Sequence, residues 1–364
     1  MKYIVPEYYK HFVCKCGECR HSCCDGWPIR ISRKEYYHLL GIECSDKLRT
    51  KLDCALKLCH EPGNGNYAEI SNDWRGICML HREDGLCALQ AELGANSLPE
   101  VCRLYPRNTK RLIDNCECSC SNSCEKVVEL LINYKEPLRF EENELSISPE
   151  FDIMLPPQKY DLCIKSRSII QDRSFPLSER FISLGNLLYG NDIYSKRSDN
   201  LSLAFQLLHV LDKYFESSIS ICDYCKESQD YYSIEGKEML SEEDMNLIAK
   251  KHKSASDHLE VILPNWQIVF EELVVNHMFY NDFPYTGNLD HRNDAFLSLA
   301  AMYSFLRFNI LGFMSDKTDP DKLVDFLAAM FRLIEHSNFK YIAMNLLKKE
   351  KYSAQDCVPQ LLLI

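Results

Sequence analysis

The spacing of hydrophobic residues predicts helices through the C-terminal part of the chain. Between residues 199 and 215, apolar side chains recur every three or four positions and form one stripe: Leu201, Ala204, Leu208, Leu211 and Phe215. A similar stripe follows residue 320: Leu323, Phe326, Leu327, Met330 and Ile334. Ser241 and Asp244 form a capping box before another such run, and Pro264 and Pro320 open two more. Because strands and helices do not alternate, residues 161–364 are predicted to form an all-helical bundle.

The N-terminal part, residues 1–135, lacks long stripes and is predicted to be irregular, with short helices between loops. Ser32 is an N-cap signal for one helix, Gly94 ends another, and Cys124 begins a third. The pair Asn64-Gly65 indicates a turn in a small hairpin.

The predicted fold class is therefore mainly α, with a cysteine-rich N-terminal domain over residues 1–135 and a helical domain over residues 161–364. Residues 136–160 contain four prolines and several acidic residues, which indicates a linker, with room for a short strand pair.

Composition and charge exclude several classes of protein. Hydrophobic residues make up 46% of the 364, which is enough for a sizeable core. No apolar run resembles a signal peptide or a membrane span, so we expect a cytoplasmic protein without a membrane partner. Residues 136–364 carry 23 Lys and Arg against 35 Asp and Glu, whereas residues 1–135 carry 19 against 18. The acidic part disfavours nucleic acid and either attracts a basic partner or keeps the chain in solution.

The cysteines carry the strongest chemical signal. Fifteen of the 19 lie between Cys14 and Cys124, and twelve of these fall in groups over residues 14–24, 78–87, 102 and 116–124. In a reducing cytosol, such groups are more often metal ligands than disulfides. The adjacent Cys23 and Cys24 fit a tetrahedral zinc ion poorly, and an iron–sulfur cluster accepts ligands from scattered loops. Both metals stay open on spacing alone.

The cysteine pattern resembles the flagellin lysine-N-methylase family. The matching motifs are F-x-C-x4-C-x3-CC-x2-W from Phe12 to Trp27, IC-x8-C ending in DGLC at Cys87, CRLYPR from Cys102 to Arg107, and SCEKVVELL from Ser123 to Leu131. Three later segments are also similar to the family: residues 171–185, 271–285 and 331–339. The resemblance therefore runs in order along nearly the whole chain.

The resemblance implies a cytoplasmic bacterial enzyme that transfers methyl groups from S-adenosylmethionine to lysines of flagellin and carries a [4Fe–4S] cluster. Zinc, instead of the cluster or beside it, is the alternative metal. The family cysteines fall on Cys14, Cys19, Cys23, Cys24, Cys78, Cys87, Cys102 and Cys124. The remaining cysteines of this region are additions: Cys16, Cys44, Cys54, Cys59, Cys116, Cys118 and Cys120. The family usually has Ser-Cys-Pro-Glu at the last cysteine, whereas this chain has Ser123-Cys124-Glu125 and lacks the proline.

Candidate catalytic residues follow Cys102 directly. Arg103 and Arg107 suit a methionyl carboxylate, with Arg107 as the cofactor contact, and the Tyr105 hydroxyl suits an amine. Alternatively, Tyr105 packs in the core and the arginines compensate the charge of a cluster. Trp27 is predicted to shield the metal.

The chain lacks both the glycine-rich loop of a dinucleotide fold and the usual radical motif, since the run from Cys16 to Cys23 has that motif's two spacings reversed. Radical and polar methyl transfer therefore both stay open.

Two other functions stay open: a non-enzymatic iron- or zinc-binding adaptor whose acidic helices hold a basic partner, and an iron–sulfur electron carrier. The histidines of the helical part do not follow a ligand spacing and are interpreted as ordinary core or surface residues: His209, His252, His277, His291 and His336.

Overall fold

The structure is a computed structural model that describes residues 1–27, 29–63, 65–112, 115–148, 151–152, 156–189, 201–215, 222–285, 292–349 and 354–364. Its strands are β1 (Lys2–Pro6), β2 (Ile29–Ile31), β3 (Leu56–Leu58), β4 (Ala68–Ile70), β5 (Arg107–Arg111), β6 (Cys116–Cys120), β7 (Phe140–Glu144) and β8 (Phe151–Asp152). The first helices are α1 (Arg33–Gly41), α2 (Asp46–Ala55), α3 (Ala88–Leu93), α4 (Glu100–Leu104), α5 (Glu125–Ile132), α6 (Pro157–Ile170) and α7 (Leu177–Tyr189). The later ones are α8 (Leu201–Phe215), α9 (Cys222–Tyr232), α10 (Glu242–Ile262), α11 (Trp266–Tyr280), α12 (Arg292–Phe313), α13 (Pro320–His336), α14 (Phe339–Lys349) and α15 (Ala354–Leu361).

The mainly α fold class is confirmed, since 59% of the described structure is helical. The helix starts and ends predicted from single residues are also confirmed. Ser32 and Ser241 form capping boxes at the starts of α1 and α10, and Asp319 caps α13 through a hydrogen bond from the Asp321 amide. Gly94, with φ of 82°, ends α3. In each case a side chain or a left-handed glycine satisfies backbone groups that the helix itself leaves unpaired.

The chain divides into two compact units, and the larger unit contains residues 1–12 and 108–364. It holds a five-stranded sheet in the order β7-β1-β6-β5-β8, with β1 parallel to β6 and antiparallel to β7. Its main core is formed by the buried faces of the helices from α5 onward, with Tyr8 and Phe12 from the N-terminal segment.

The predicted boundaries at residues 135 and 160 differ from these units. The predicted linker contributes β7, whose Phe140 to Glu144 pair with Pro6 to Lys2, and β8, which pairs with β5. The N-terminal strand and the segment from residue 108 belong to the larger unit because their backbone groups form hydrogen bonds in its sheet and their apolar side chains are buried in its core. The Asn64-Gly65 turn falls between the paired β3 and β4, with Asn64 itself outside the described residues.

The smaller unit contains residues 13–107. Its antiparallel sheet has the order β2-β4-β3, and the same unit contains α1 to α4. A separate core holds it together, formed mainly by Ile29, Ile31, Leu39, Leu48, Leu52, Ala55, Ala68, Ile70, Leu80 and Leu89. This unit contains most of the clustered cysteines.

Helix α12 is the one helix among the described residues that is long and apolar enough to cross a membrane, and its apolar stretch is fully buried inside the protein. Eighteen of its residues, from Ala295 to Phe313, are buried by the helices around it. This is the burial of the central helix of a bundle, which is apolar on all sides because it contacts neighbours on all sides.

Candidate functional site

A cavity of about 90 Å³ in the smaller unit is lined by five of the eight predicted metal ligands. The five are Cys23, Cys24, Cys78, Cys87 and Cys102. Trp27 and Tyr105 also line this cysteine cavity, with ring centroids 6.0 Å apart. The first, second and third cysteine groups of the sequence therefore meet at one place.

Backbone hydrogen bonds between loops bring the first two groups together. The Cys78 amide donates to the Cys24 carbonyl at 2.7 Å, and Gly26 donates to Gly76 at 3.1 Å. A bridge between His81 and Cys87 then folds the second group back on itself. These bonds satisfy the polar backbone of loops that have little regular structure, so the positions of the thiols are set by main-chain geometry.

Two glycines allow the same loops to touch. A Cβ atom on Gly17 would lie 2.7 Å from the Asp84 carbonyl oxygen, and one on Gly85 would lie 2.5 Å from the Gly17 oxygen. Gly85 also has φ of +80°, a conformation that other residues rarely adopt. The glycine of the DGLC motif is therefore needed for contact between the two cysteine loops.

Helix α4 carries Cys102, and the first residue of this helix is hydrogen-bonded to a side chain of α1. The Glu35 carboxylate accepts hydrogen bonds from Ser32 in the capping box and from the Glu100 amide at 2.8 Å. Burial works to raise the pKa of Glu35, but the hydrogen bonds from Ser32 and Glu100 lower it below its ordinary value. One carboxylate thus caps two helices and places Cys102 against the cavity.

The thiols of the cavity raise one another's pKa. Burial raises the pKa of Cys78 to about 12, and the nearby Cys24 and Cys87 add to the rise. Burial, followed by Cys78, Cys24 and Cys87, raises the pKa of Cys102. Cys23 keeps contact with solvent, so we attribute the rise in its pKa to its hydrogen bond with the Cys24 thiol rather than to burial. Several thiolates can coexist here only beside positive charge.

The five thiols of the cavity therefore suit a cationic group that binds sulfur. They are not arranged around a single metal ion. Within the part of the chain that the structure describes, no group of three or more His, Cys, Asp or Glu side chains could hold one metal ion. Thiolates around one tetrahedral ion with bonds of about 2.3 Å must lie within about 4 Å of each other. A polynuclear cluster accepts ligands that are farther apart.

The other predicted site residues lie elsewhere. The described lining of the cavity does not include Cys14 or Cys19, although Cys14 is near enough to raise the pKa of Cys23. Cys124 belongs to the larger unit, where it is the N-cap of α5 and packs against the main core. Arg103 lies at the surface, 3.6 Å from Glu100, and half-buried Arg107 begins β5. Of the three candidate catalytic residues, Tyr105 lines the cavity.

The cysteines of β6 are core residues. Cys116, Cys118 and Cys120 are all buried, the first two against Tyr3 and Val5 and the third in the main core. Their alternate spacing is the period of a strand.

A polar cluster that the sequence did not predict lies in the larger unit. Glu335, whose side chain is fully buried, accepts hydrogen bonds from the Ser121 hydroxyl at 2.5 Å, the Asn122 amide at 3.0 Å and His277 Nδ1 at 2.8 Å. Ser123 is hydrogen-bonded to His336 Nε2 at 2.8 Å. The available signal was the resemblance of residues 271–285 and 331–339 to family segments, which the structure brings into contact here.

Comparisons with known proteins agree on one family. The model of the FliB lysine N-methylase C-terminal domain matches residues 164–357, more than half of the chain. A lysine-N-methylase of Salmonella choleraesuis is 27% identical over 141 residues, which are 38% of this chain and 35% of that protein. A lysine-N-methylase of Salmonella typhimurium is 26% identical over 141 residues, which are again 38% of this chain and 35% of that protein.

The flagellar biosynthetic protein FliU of Salmonella muenchen is 27% identical over 35% of this chain and 75% of its own length. The match thus spans about a third of the length of the two lysine-N-methylases. No solved structure matches the chain.

Proposed function

This chain belongs to the FliB lysine N-methylase family, and on that premise we propose that it is a protein-lysine N-methyltransferase that acts on flagellin in the cytoplasm. The observation that carries the proposal is the coincidence of the family match with a cavity lined by five thiols of the predicted ligand set. The names of the relatives, two lysine-N-methylases and a flagellar biosynthetic protein, support the reaction and the flagellar substrate.

We propose that a [4Fe–4S] cluster is held by four of Cys23, Cys24, Cys78, Cys87 and Cys102, and that S-adenosylmethionine supplies the methyl group on its sulfonium. Trp27 and Tyr105 would cover the cluster side of the cavity and exclude water. Tyr105 and Arg107 stay candidates for contacts with the methyl donor, whereas Arg103 is engaged with Glu100 at the surface.

The first test is the mass of flagellin that is co-expressed with the chain. We expect added methyl groups on lysines with the wild-type chain and none with an empty vector. Unmodified flagellin beside well-folded, metal-loaded protein would contradict the proposal and favour the adaptor or the electron carrier. Protein purified without oxygen should be brown and release acid-labile sulfide. A colourless protein with stoichiometric zinc would contradict the cluster.

Cysteine variants test which thiols bind the metal. Cys23→Ala and Cys102→Ala should lose most of the iron, because their thiols line the cavity. The matched control is Cys54→Ala, an exposed cysteine of α2 in the same unit, which should keep its iron. Cys118→Ala should also keep its iron but lose on the order of 1–2 kcal/mol of stability, since it removes a fully buried side chain. Equal iron in all four variants would overturn the assignment.

A further inference from the structure

A second cavity lies in the larger unit, beside the Glu335 cluster. It encloses about 30 Å³. Its polar lining is His277, Asn281, Ser298 and Lys340, and apolar side chains such as Phe283, Met302 and Phe339 complete the wall. The space holds about two water molecules, which is far too small for a nucleoside and suits the end of one narrow chain.

The hydrogen bond between His277 and Glu335 sets the chemistry of this cavity. Nδ1 of His277 donates to the buried Glu335 carboxylate at 2.8 Å. The proton of the neutral imidazole is therefore on Nδ1, and Nε2 is left as an acceptor. The Asn281 amide nitrogen lies 3.2 Å from Nδ1 and 3.5 Å from Nε2. A carboxylate that orients a histidine in this way also stabilises the imidazolium that forms when Nε2 takes a proton.

We propose that this cavity receives the ε-amine of the substrate lysine and that His277 Nε2 removes its proton before methyl transfer. The inference rests on the proposed function and adds a lysine subsite to it. One N–H bond of the ammonium breaks and one N–H bond forms on Nε2. The amine becomes neutral with a free lone pair, and the imidazolium is paired with the Glu335 carboxylate. The step is necessary because fewer than about one lysine in a thousand is neutral at pH 7.

The walls of the cavity favour a neutral amine. Burial lowers the pKa of Lys340, which lines the cavity, while the charge of Asp282 opposes that change. Asp282 is also engaged by Lys110, whose amine lies 2.7 Å from it. A substrate amine in the same space would also be desolvated, which favours its neutral form.

The titratable groups near His277 lie on α13, on α14 and in the turn after α11, and the residues of α12 that line the cavity are uncharged. They are Glu335 and His336 on α13, Lys340 on α14, and Asp282 in the turn after α11. Burial lowers the pKa of His336, and the charge of Arg332, also on α13, lowers it further. Glu335 is the charged group that contacts His277 directly, so it is the positioning residue whose loss should change the pH profile of methylation.

The first experiment measures binding without any methyl transfer. The full chain is titrated with Nα-acetyl-lysine amide and with the norleucine analogue, which has the same methylenes without the amine. We expect saturable binding of the lysine probe alone, weakened at least tenfold by His277→Gln. No binding, equal binding of both probes, or full binding by His277→Gln would overturn the subsite, whether or not the chain methylates flagellin.

The second experiment follows the rate of flagellin methylation against pH. His277→Gln should lose about a hundredfold or more at pH 7 and recover tenfold per pH unit as lysine deprotonates in solution. Glu335→Gln should shift the profile, and His38→Gln, an exposed histidine of α1, should match the wild type. A wild-type profile for His277→Gln would overturn the base while leaving the methylase intact. Absence of methylation by the wild type would instead contradict the proposed function, and the probe titration then decides the subsite.

Discussion

Glu272 shows how one residue can link protonation to stability. Burial and the neighbouring Glu271 raise its pKa to about 8, although Arg173, 2.9 Å away, favours the charged form. Because the folded protein keeps this proton between pH 4.5 and 8 and the unfolded chain does not, the free energy of unfolding falls as pH rises through that window. The slope from this group is up to about 1.4 kcal/mol per pH unit.

Glu272→Gln should remove this dependence. The variant should have a flatter stability between pH 5 and 8 and should exceed the wild type at pH 9, measured by urea unfolding of the helical circular dichroism signal. The exposed Glu260→Gln is the control and should follow the wild type. A Glu272→Gln variant that loses stability at pH 9 would show that the carboxylate is charged and needed by Arg173.

At the scale of elements, the contact between the two cysteine loops depends on glycine. Gly85→Ala should separate these loops, lower iron content and destabilise the smaller unit by about 1–3 kcal/mol, since its Cβ would meet the Gly17 backbone at 2.5 Å. Gly94→Ala is a matched control, because Gly94 has nearly the same φ, +82°, and nothing within 4 Å of an added Cβ.

The difference between these two variants isolates the loop contact from backbone strain, which costs about 1 kcal/mol in both. Iron content and thermal unfolding are the measurements. Equal losses in both variants would mean that strain at positive φ, rather than contact between the loops, explains the effect of Gly85→Ala.

At the scale of the whole molecule, the net charge belongs to one unit. Residues 13–107 carry 13 Lys and Arg against 13 Asp and Glu, so the larger unit carries 29 against 40 and all of the net charge of −11. A lysine-bearing surface of flagellin should be attracted to that field, and salt should screen the attraction.

The expected signature is a KM for flagellin that rises steeply between low and physiological ionic strength, with kcat little changed. The control is the lysine probe, a small molecule whose binding should depend less on salt. A KM independent of salt would show that the acidic surface serves solubility and that flagellin is recognised by shape and apolar contacts.

Local patterns in the sequence were enough to predict much of the protein. Apolar stripes predicted helices such as α8 and α13, the capping residues Ser32 and Ser241 marked the starts of α1 and α10, and Pro320 marked the start of α13. Cysteine spacing predicted that the cysteine groups converge, and three of the four line one cavity. These features are visible because a helix cap, a stripe or a cysteine knuckle is encoded within a few consecutive residues.

Tertiary structure alone decided the rest, because the partners are far apart in the chain. Strand β1 pairs with β6 and β7 across more than a hundred residues, which turned the expected linker into part of a sheet. His277 and Glu335, 58 residues apart, also meet only in the folded chain, and Cys118 is buried there against Tyr3 and Val5. Pairing at such distance depends on which surfaces the folded core brings together, and no local pattern of residues records that choice.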